Sequence, residues 1–230
     1  MSPRDYPARH RRSERQRRQG GPAEGVRGEG EGARGDAGAD ARADAAERPL
    51  RLFVALDLPD EALTALNGWQ ELVFGDLPEL RINHALHLTL CFLGGRPAGA
   101  VPALQEALAG VPFSSFAMSF GEPIFLPKGG RKNVVALPLI DAPSAPGGLR
   151  AVQALQAAVS RALAATGHYE PERRPYLPHV TVARFRRPGH PFPLHIVTLP
   201  ELCPSPLVLY TSDLDRAGAV HTPLARFSPQ

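Results

Sequence analysis

Hydrophobic and polar positions change their spacing several times along the chain, and each change marks an element. LRLFVALDLP, residues 50–59, is an apolar run of strand formers closed by a proline and predicts a first strand. In DEALTALNGWQELVF, residues 60–74, Leu63, Leu66, Trp69 and Val73 recur at helical spacing, with Asp60 and Glu61 in the opening turn, where the helix dipole favours acids. This predicts an amphipathic helix buried along those four side chains. ALHLTLCFLGG, residues 85–95, alternates with a period of two instead. It reads as a strand with Leu88, Leu90 and Phe92 on the packed face and His87 and Thr89 side by side on the other. VPALQEALAG then predicts a short helix ending at Gly110, FSSFAMSFGEPIFL a strand or bent pair, and PKGGRKN a turn-rich basic loop.

The second half runs in the same order. NVVALPL reads as a strand, and GGLRAVQALQAAVSRALAATG as a helix with Leu149, Val152, Leu155, Val159 and Leu163 on one stripe and Gly167 as its stop. PHVTVARF, residues 178–185, follows as a strand that again carries His-x-Thr, in His179 and Thr181. Strand, helix, then a strand with His-x-Thr thus occurs twice, which suggests two similar lobes. PLVLYTSDLDRAGAVHTPLARF reads as two antiparallel strands around the turn DRAG.

Upstream of Pro49 the texture is different. Residues 1–48 are rich in Gly, Ala, Arg and acids and nearly devoid of Ile, Leu, Phe and Val, too little apolar surface to offset the entropy of ordering. A disordered tail is expected there, with a folded unit over residues 49–230. The charge divides the same way. The tail holds 11 of the 26 Lys and Arg and 9 of the 23 Asp and Glu, so the folded part is close to neutral although the whole chain has pI 9.2. Phosphate recognition in that part must come from a local arrangement of positive groups rather than from a large net field. The apolar runs are short and broken, and the N-terminus lacks an apolar core segment, so neither a membrane span nor a secretory signal is expected and a cytoplasmic location is. Cys91 and Cys203, without CxxC spacing, are expected to be packed free thiols.

With eight His and seven Thr, random placement gives about 0.2 His-x-Thr triplets, so two copies in matching contexts are informative. A phosphodiester suits two histidines that face each other. One neutral imidazole deprotonates an attacking water while a second, protonated one donates to the leaving oxygen, and no metal is required. Attacking and leaving oxygens prefer to be in line, which two related lobes on either side of the phosphorus supply. Thr89 and Thr181 would then bind the non-bridging oxygens.

HLTL (87–90) followed by CFLG, and PHVTVAR (178–184), resemble the signature pair of the two-histidine (2H) phosphoesterases, in the branch of LigT-like RNA 2′,3′-cyclic phosphodiesterases historically called 2′-5′ RNA ligases. The opening and closing strands are similar as well, so the resemblance spans about residues 50–228. It implies metal-independent hydrolysis of a 2′,3′-cyclic phosphate at an RNA end to a 2′-phosphomonoester, with reversible 2′-5′ ligation as a side activity and no cofactor. By position, it implies His87 as proton donor, His179 as proton acceptor, and Thr89, Thr181 and Arg184 as phosphate ligands. Strict alternation sets Arg184 on the face opposite His179, so that last role requires a bend near Phe185. Relatives often carry a basic residue where this chain has Cys91 and an aromatic one where it has Arg81, which leaves base stacking unassigned among Phe185, Tyr176 and Phe53. The fold expected is α+β, two pseudo-symmetric lobes, each an antiparallel sheet with helices on its outer face, enclosing a central cleft, in a monomer.

Other chemistries are less well supported. His84, His87 and His179 have no Asp, Glu or Cys cluster beside them to make a metal site. His168, His190, His195 and His221 have no partner pattern and are expected on the surface or in turns. The alternative functions are a phosphodiesterase for a small cyclic nucleotide, and a binding module for RNA ends without turnover, which Arg131, Lys132, Arg173, Arg174, Arg186 and Arg187 would suit as surface charges.

Overall fold

The computed structural model describes residues 48–194, 198–215 and 218–230. The expected tail up to Glu47, His195 and the centre of the DRAG turn lie outside these residues. The described strands are β1 (Leu50–Leu56), β2 (Leu80–Ile82), β3 (Leu88–Arg96), β4 (Met118–Phe120), β5 (Ile124–Leu126), β6 (Lys132–Asp141), β7 (His179–Gly189), β8 (Leu207–Asp215) and β9 (Gly218–Phe227). The helices are α1 (Asp60–Phe74), α2 (Val101–Ala109) and α3 (Gly148–Ala165).

The strands form one path, β4-β6-β7-β3-β1-β8-β9, with β2 beside β7 and β5 beside β6, and every pairing is antiparallel. The α+β class expected from the sequence is therefore the observed one. β1, β3 and the C-terminal hairpin lie on one side of the path, and β2, β4, β5, β6 and β7 on the other. Between them β3 and β7 touch through a single residue pair, Leu88 with Val180. The expected strand or bent pair over residues 113–126 is the pair β4 and β5, each laid on a different part of β6. No sequence signal had marked β2.

Helices cover one face of the sheet. α3 packs on β3 and β6, and α1 on β2 and β7. α3 buries Val152, Leu155, Val159 and Leu163 as its stripe predicts. Its first turn is capped by Asp141, whose Oδ1 accepts from the amides of Gly147 at 3.1 Å and Leu149 at 2.7 Å. It stops at Gly167, whose φ of 74° is the left-handed value that a side chain disfavours. α1 is turned from its expected stripe. Leu66 and Trp69 are buried, but Leu63 and Val73 only partly, while Ala62, Gln70 and Phe74 complete the inner face. The reason is polar: the Gln70 amide faces two backbone carbonyls at the sheet, described below. No described helix is long and apolar enough to cross a membrane.

Candidate active site

Both His-x-Thr motifs are followed by an extra residue in the strand. Along β3, Ala55 faces Thr89 and Val54 faces Cys91, so Leu90 is an insertion in the ladder. Along β7, Ala136 faces Thr181 and Val135 faces Ala183, so Val182 is the corresponding insertion. A bulge of one residue inverts the facing of everything after it. Leu90 and Cys91 are both buried, as are Val182 and Ala183. Phe92 and Arg184 consequently emerge on the same face as the motif that precedes each of them. Two expectations from strict alternation are corrected here. Phe92 is 59% exposed and paired with Phe53 on the histidine face, not packed with Leu88 and Leu90. Arg184 shares the face of Thr181, because their partners Val134 and Ala136 are two apart on β6.

The register of Leu88 with Val180 sets His87 across from Thr181 and Thr89 across from His179, all four on the face away from the helices. In a regular antiparallel pair such diagonal neighbours lie roughly 7–8 Å apart, room enough for one phosphorus centre between two imidazoles. The rings are oriented alike. His87 Nδ1 donates to the Ala85 carbonyl at 2.9 Å and His179 Nδ1 to the Leu177 carbonyl at 2.8 Å, since a carbonyl can only accept. Each histidine therefore turns Nε2 outward, as a lone pair when neutral and as a donor when charged.

The two motifs are stitched across their junction. Asn83 Nδ2, upstream of His87, donates to the Thr181 carbonyl at 2.8 Å and to the Ala85 carbonyl at 3.3 Å. Tyr176 Oη, upstream of His179, donates to the Thr89 carbonyl at 3.0 Å. Behind them the buried Gln70 Nε2 reaches the carbonyls of Val182, at 2.6 Å, and Asn83, at 2.9 Å. A glutamine therefore stands on the inner face of α1, where its amide donates to two carbonyls at the edge of the sheet.

Around His87 the strands β1, β8 and β9 add an aromatic floor. The Phe53 ring lies 5.0 Å from His87, 5.1 Å from Tyr210 in a stacked pair, and 4.8 Å from His221. His221 stands edge-on to His87, with ring centroids 5.3 Å apart. Tyr210 Oη donates to Asp57 Oδ1 at 2.6 Å, and Arg226 Nη1 to Asp57 Oδ2 at 2.5 Å. Burial and Asp57 push the Tyr210 phenol up to about 12, so it remains a donor. Burial first, then the charge of His221, hold His87 down at about 4, with a smaller push from Arg184; the Ala85 carbonyl and Asp57 pull the other way. His87 is accordingly neutral at pH 7.

The remaining expectations divide. His87, Thr89, His179, Thr181 and Arg184 come together on one open face, and Phe53 forms its wall. Tyr176 is tied to the Thr89 carbonyl, and Phe185 packs instead with Phe125 and Phe192. His221 is not a surface or turn residue but lies in the site, together with Asp57, Asn83 and Tyr210, none of which had been singled out. The V-H-T segment offered no signal of its own, because its place depends on β1, β8 and β9 pairing across the chain. Lys132 is not a surface charge: it is 7% exposed, with Nζ donating to the carbonyls of Pro127 and Lys128 at 2.8 and 2.7 Å. Cys91 is a packed thiol, pushed up to about 11 by burial, whereas Cys203 is exposed. Among the described residues no three His, Cys, Asp or Glu side chains gather as a metal site.

Residues 58–196 match the family described as the 2′-5′ RNA ligase superfamily. An RNA 2′,3′-cyclic phosphodiesterase of Thermus thermophilus is 32% identical over 195 residues, 78% of this chain and 90% of the relative. Among solved structures, a protein of Thermus thermophilus aligns with TM-score 0.61 at 31% identity, covering 78% of this chain and 97% of that one. E. coli LigT in its apo form aligns with TM-score 0.62 at 25% identity, covering 80% of this chain and 100% of that one.

Proposed function

The chain belongs to the 2′-5′ RNA ligase superfamily, and on that footing we propose that it is a cyclic phosphodiesterase that opens RNA 2′,3′-cyclic phosphate ends to 2′-phosphomonoesters. The observation that carries this reading is the matched pair of imidazoles, each fixed through Nδ1 to the carbonyl two residues upstream and each turning Nε2 to the same face. Binding a phosphate needs donors alone; two outward nitrogens of this kind also supply an acid and a base. The name of the Thermus relative supports the substrate class.

In this mechanism His179 Nε2 takes a proton from water as the water oxygen bonds to phosphorus. The bond from phosphorus to the 3′ oxygen breaks, and His87 Nε2 gives its proton to that oxygen. The product has a 2′-phosphate and a 3′-hydroxyl, and one proton has moved from His87 to His179. Thr89, Thr181 and Arg184 hold the non-bridging oxygens as negative charge builds there. A 5′-hydroxyl in place of water would give a 2′-5′ linkage by the same proton movements. Because its surroundings keep His87 neutral, it takes up its proton with the anionic substrate, whose charge opposes the effect of His221 and Arg184.

The test is incubation of the purified protein, with EDTA present, with a short RNA ending in a 2′,3′-cyclic phosphate, separating 2′- from 3′-phosphate products. A 2′-phosphate is expected. No turnover, with a small cyclic nucleotide hydrolysed instead, would replace the RNA substrate, and a 3′-phosphate product would reverse the roles of the two ester oxygens.

A further inference from the structure

His221 is the histidine of the site that neither motif contains. It reaches the site through pairing alone: His221 faces Ser212 on β8, Ser212 is two residues from Tyr210, and Tyr210 faces Phe53 beside His87. Its ring stands edge-on to both Phe53, at an interplanar angle of 72°, and His87, at 84°. Its Nδ1 is buried with no hydrogen-bond partner. A charged imidazole must donate from both nitrogens, and a buried Nδ1–H without an acceptor disfavours that form. Two imidazolium rings this close also repel.

We propose that His221 is a positioning residue that acts through His87: the two rings accept one proton between them, so that the substrate phosphate, and not the bulk solution, charges the proton donor. The inference rests on the reading of His87 as that donor. The groups that face the pair come from every neighbouring strand. Asp57 at the end of β1 favours the charged form of His87, and Tyr210 of β8 and Arg226 of β9 are both engaged with Asp57. Arg184 of β7 opposes protonation of both histidines, and Arg81 of β2 faces Arg184. Burial and Arg184 lower His221 as well, in keeping with a pair that is uncharged before substrate arrives. In a reaction cycle this arrangement ties proton uptake to phosphate binding, because an anion between Arg184 and the two rings offsets the repulsion that, together with burial, keeps His87 neutral.

The experiment is an NMR titration of the histidine ring signals in the full chain without substrate, for the unaltered protein, His221→Phe and His221→Gln. Phe keeps a ring against Phe53, Gln keeps polarity, and neither carries a charge. The expected result in both is a His87 midpoint higher by about one pH unit, with the pH dependence of kcat/KM on an RNA 2′,3′-cyclic phosphate displaced in the same direction. An unmoved His87 midpoint in either folded variant overturns the inference. Should neither variant fold, the unaltered protein decides: a His87 signal that also registers the titration of His221 supports the shared proton, and one that ignores it refutes it. Because the titration needs no turnover, a failed RNA assay leaves this result standing, and an unmoved midpoint leaves the hydrolase reading standing.

Discussion

Leu88 pairs with Val180, and this one pair joins β3 to β7 at the centre of the site. A junction so narrow would hinge easily if nothing else held it. The Asn83 amide on the Thr181 carbonyl and the Tyr176 hydroxyl on the Thr89 carbonyl do so, each reaching from the approach to one motif into the other. Removing the hydroxyl alone, in Tyr176→Phe, is expected to cost about 0.5–1.5 kcal/mol in urea unfolding, and Asn83→Ala about 1–3 kcal/mol because it leaves buried acceptors unpaired. Both are expected to lower kcat by about tenfold or more with KM changed far less, since the spacing of acid and base is lost before the phosphate ligands are. Unchanged kcat in both variants would show that the junction holds its geometry without them.

The two histidines are expected to be indispensable and structurally dispensable. His87→Ala and His179→Ala should each lower kcat by about 10²–10⁴, with thermal midpoints near that of the unaltered protein, because both rings are partly exposed and each makes a single hydrogen bond, to a carbonyl two residues away, although His87 also gives up its contacts with Phe53 and His221. Acting as a unit, the pair should show strong non-additivity, the double variant being scarcely slower than the worse single one. A single variant with near-normal turnover would remove that histidine from the mechanism.

Arg184 shows where the sequence was legible and where it was not. The two His-x-Thr triplets, the α3 stripe and the C-terminal hairpin were legible because each depends on spacing within one short segment. The facing of Phe92 and Arg184 was not, since the insertions at Leu90 and Val182 carry no Gly or Pro to mark them, and alternation read through a bulge gives the wrong face. His221 and Gln70 were hidden for a different reason. Their roles depend on what strand pairing and helix packing set beside them, and a lone histidine or a glutamine on an apolar stripe does not disclose its partner. Gln70 lies outside the stripe of Leu63, Leu66, Trp69 and Val73 and is nonetheless fully buried.

The position of Arg184 beyond the bulge leads to a test by phosphate binding. Arg184→Gln is expected to weaken inorganic phosphate by about 10–100-fold in calorimetry, the equivalent of one charge-assisted hydrogen bond. Arg184→Lys should recover only part of the loss, because an ammonium keeps the charge but not the two-pronged geometry of a guanidinium. Equal affinity in all three proteins would take Arg184 out of the phosphate site.

The lowered His87 also ties folding to pH. In the unfolded chain this imidazole takes up a proton as pH falls through about 6.5, whereas in the folded protein it does so only near 4. Between those values the unfolded state binds the extra proton, so stability is fully present above the upper limit and declines as pH falls to the lower one. At about 1.4 kcal/mol per pH unit, and discounted because the ring is partly exposed, the loss attributable to His87 is about 2 kcal/mol. His221, also lowered, acts in the same direction. Urea unfolding at pH 7 and pH 4.5 should therefore show a smaller acid loss in His87→Gln than in the unaltered protein, by about that amount, and a smaller loss again in His87→Gln combined with His221→Phe. Comparing variants cancels the contributions common to all of them. If His87→Gln loses as much stability on acidification as the unaltered protein, the ring takes up its proton in the folded state at the same pH as in the unfolded chain, and the site does nothing to keep the proton donor neutral before phosphate arrives.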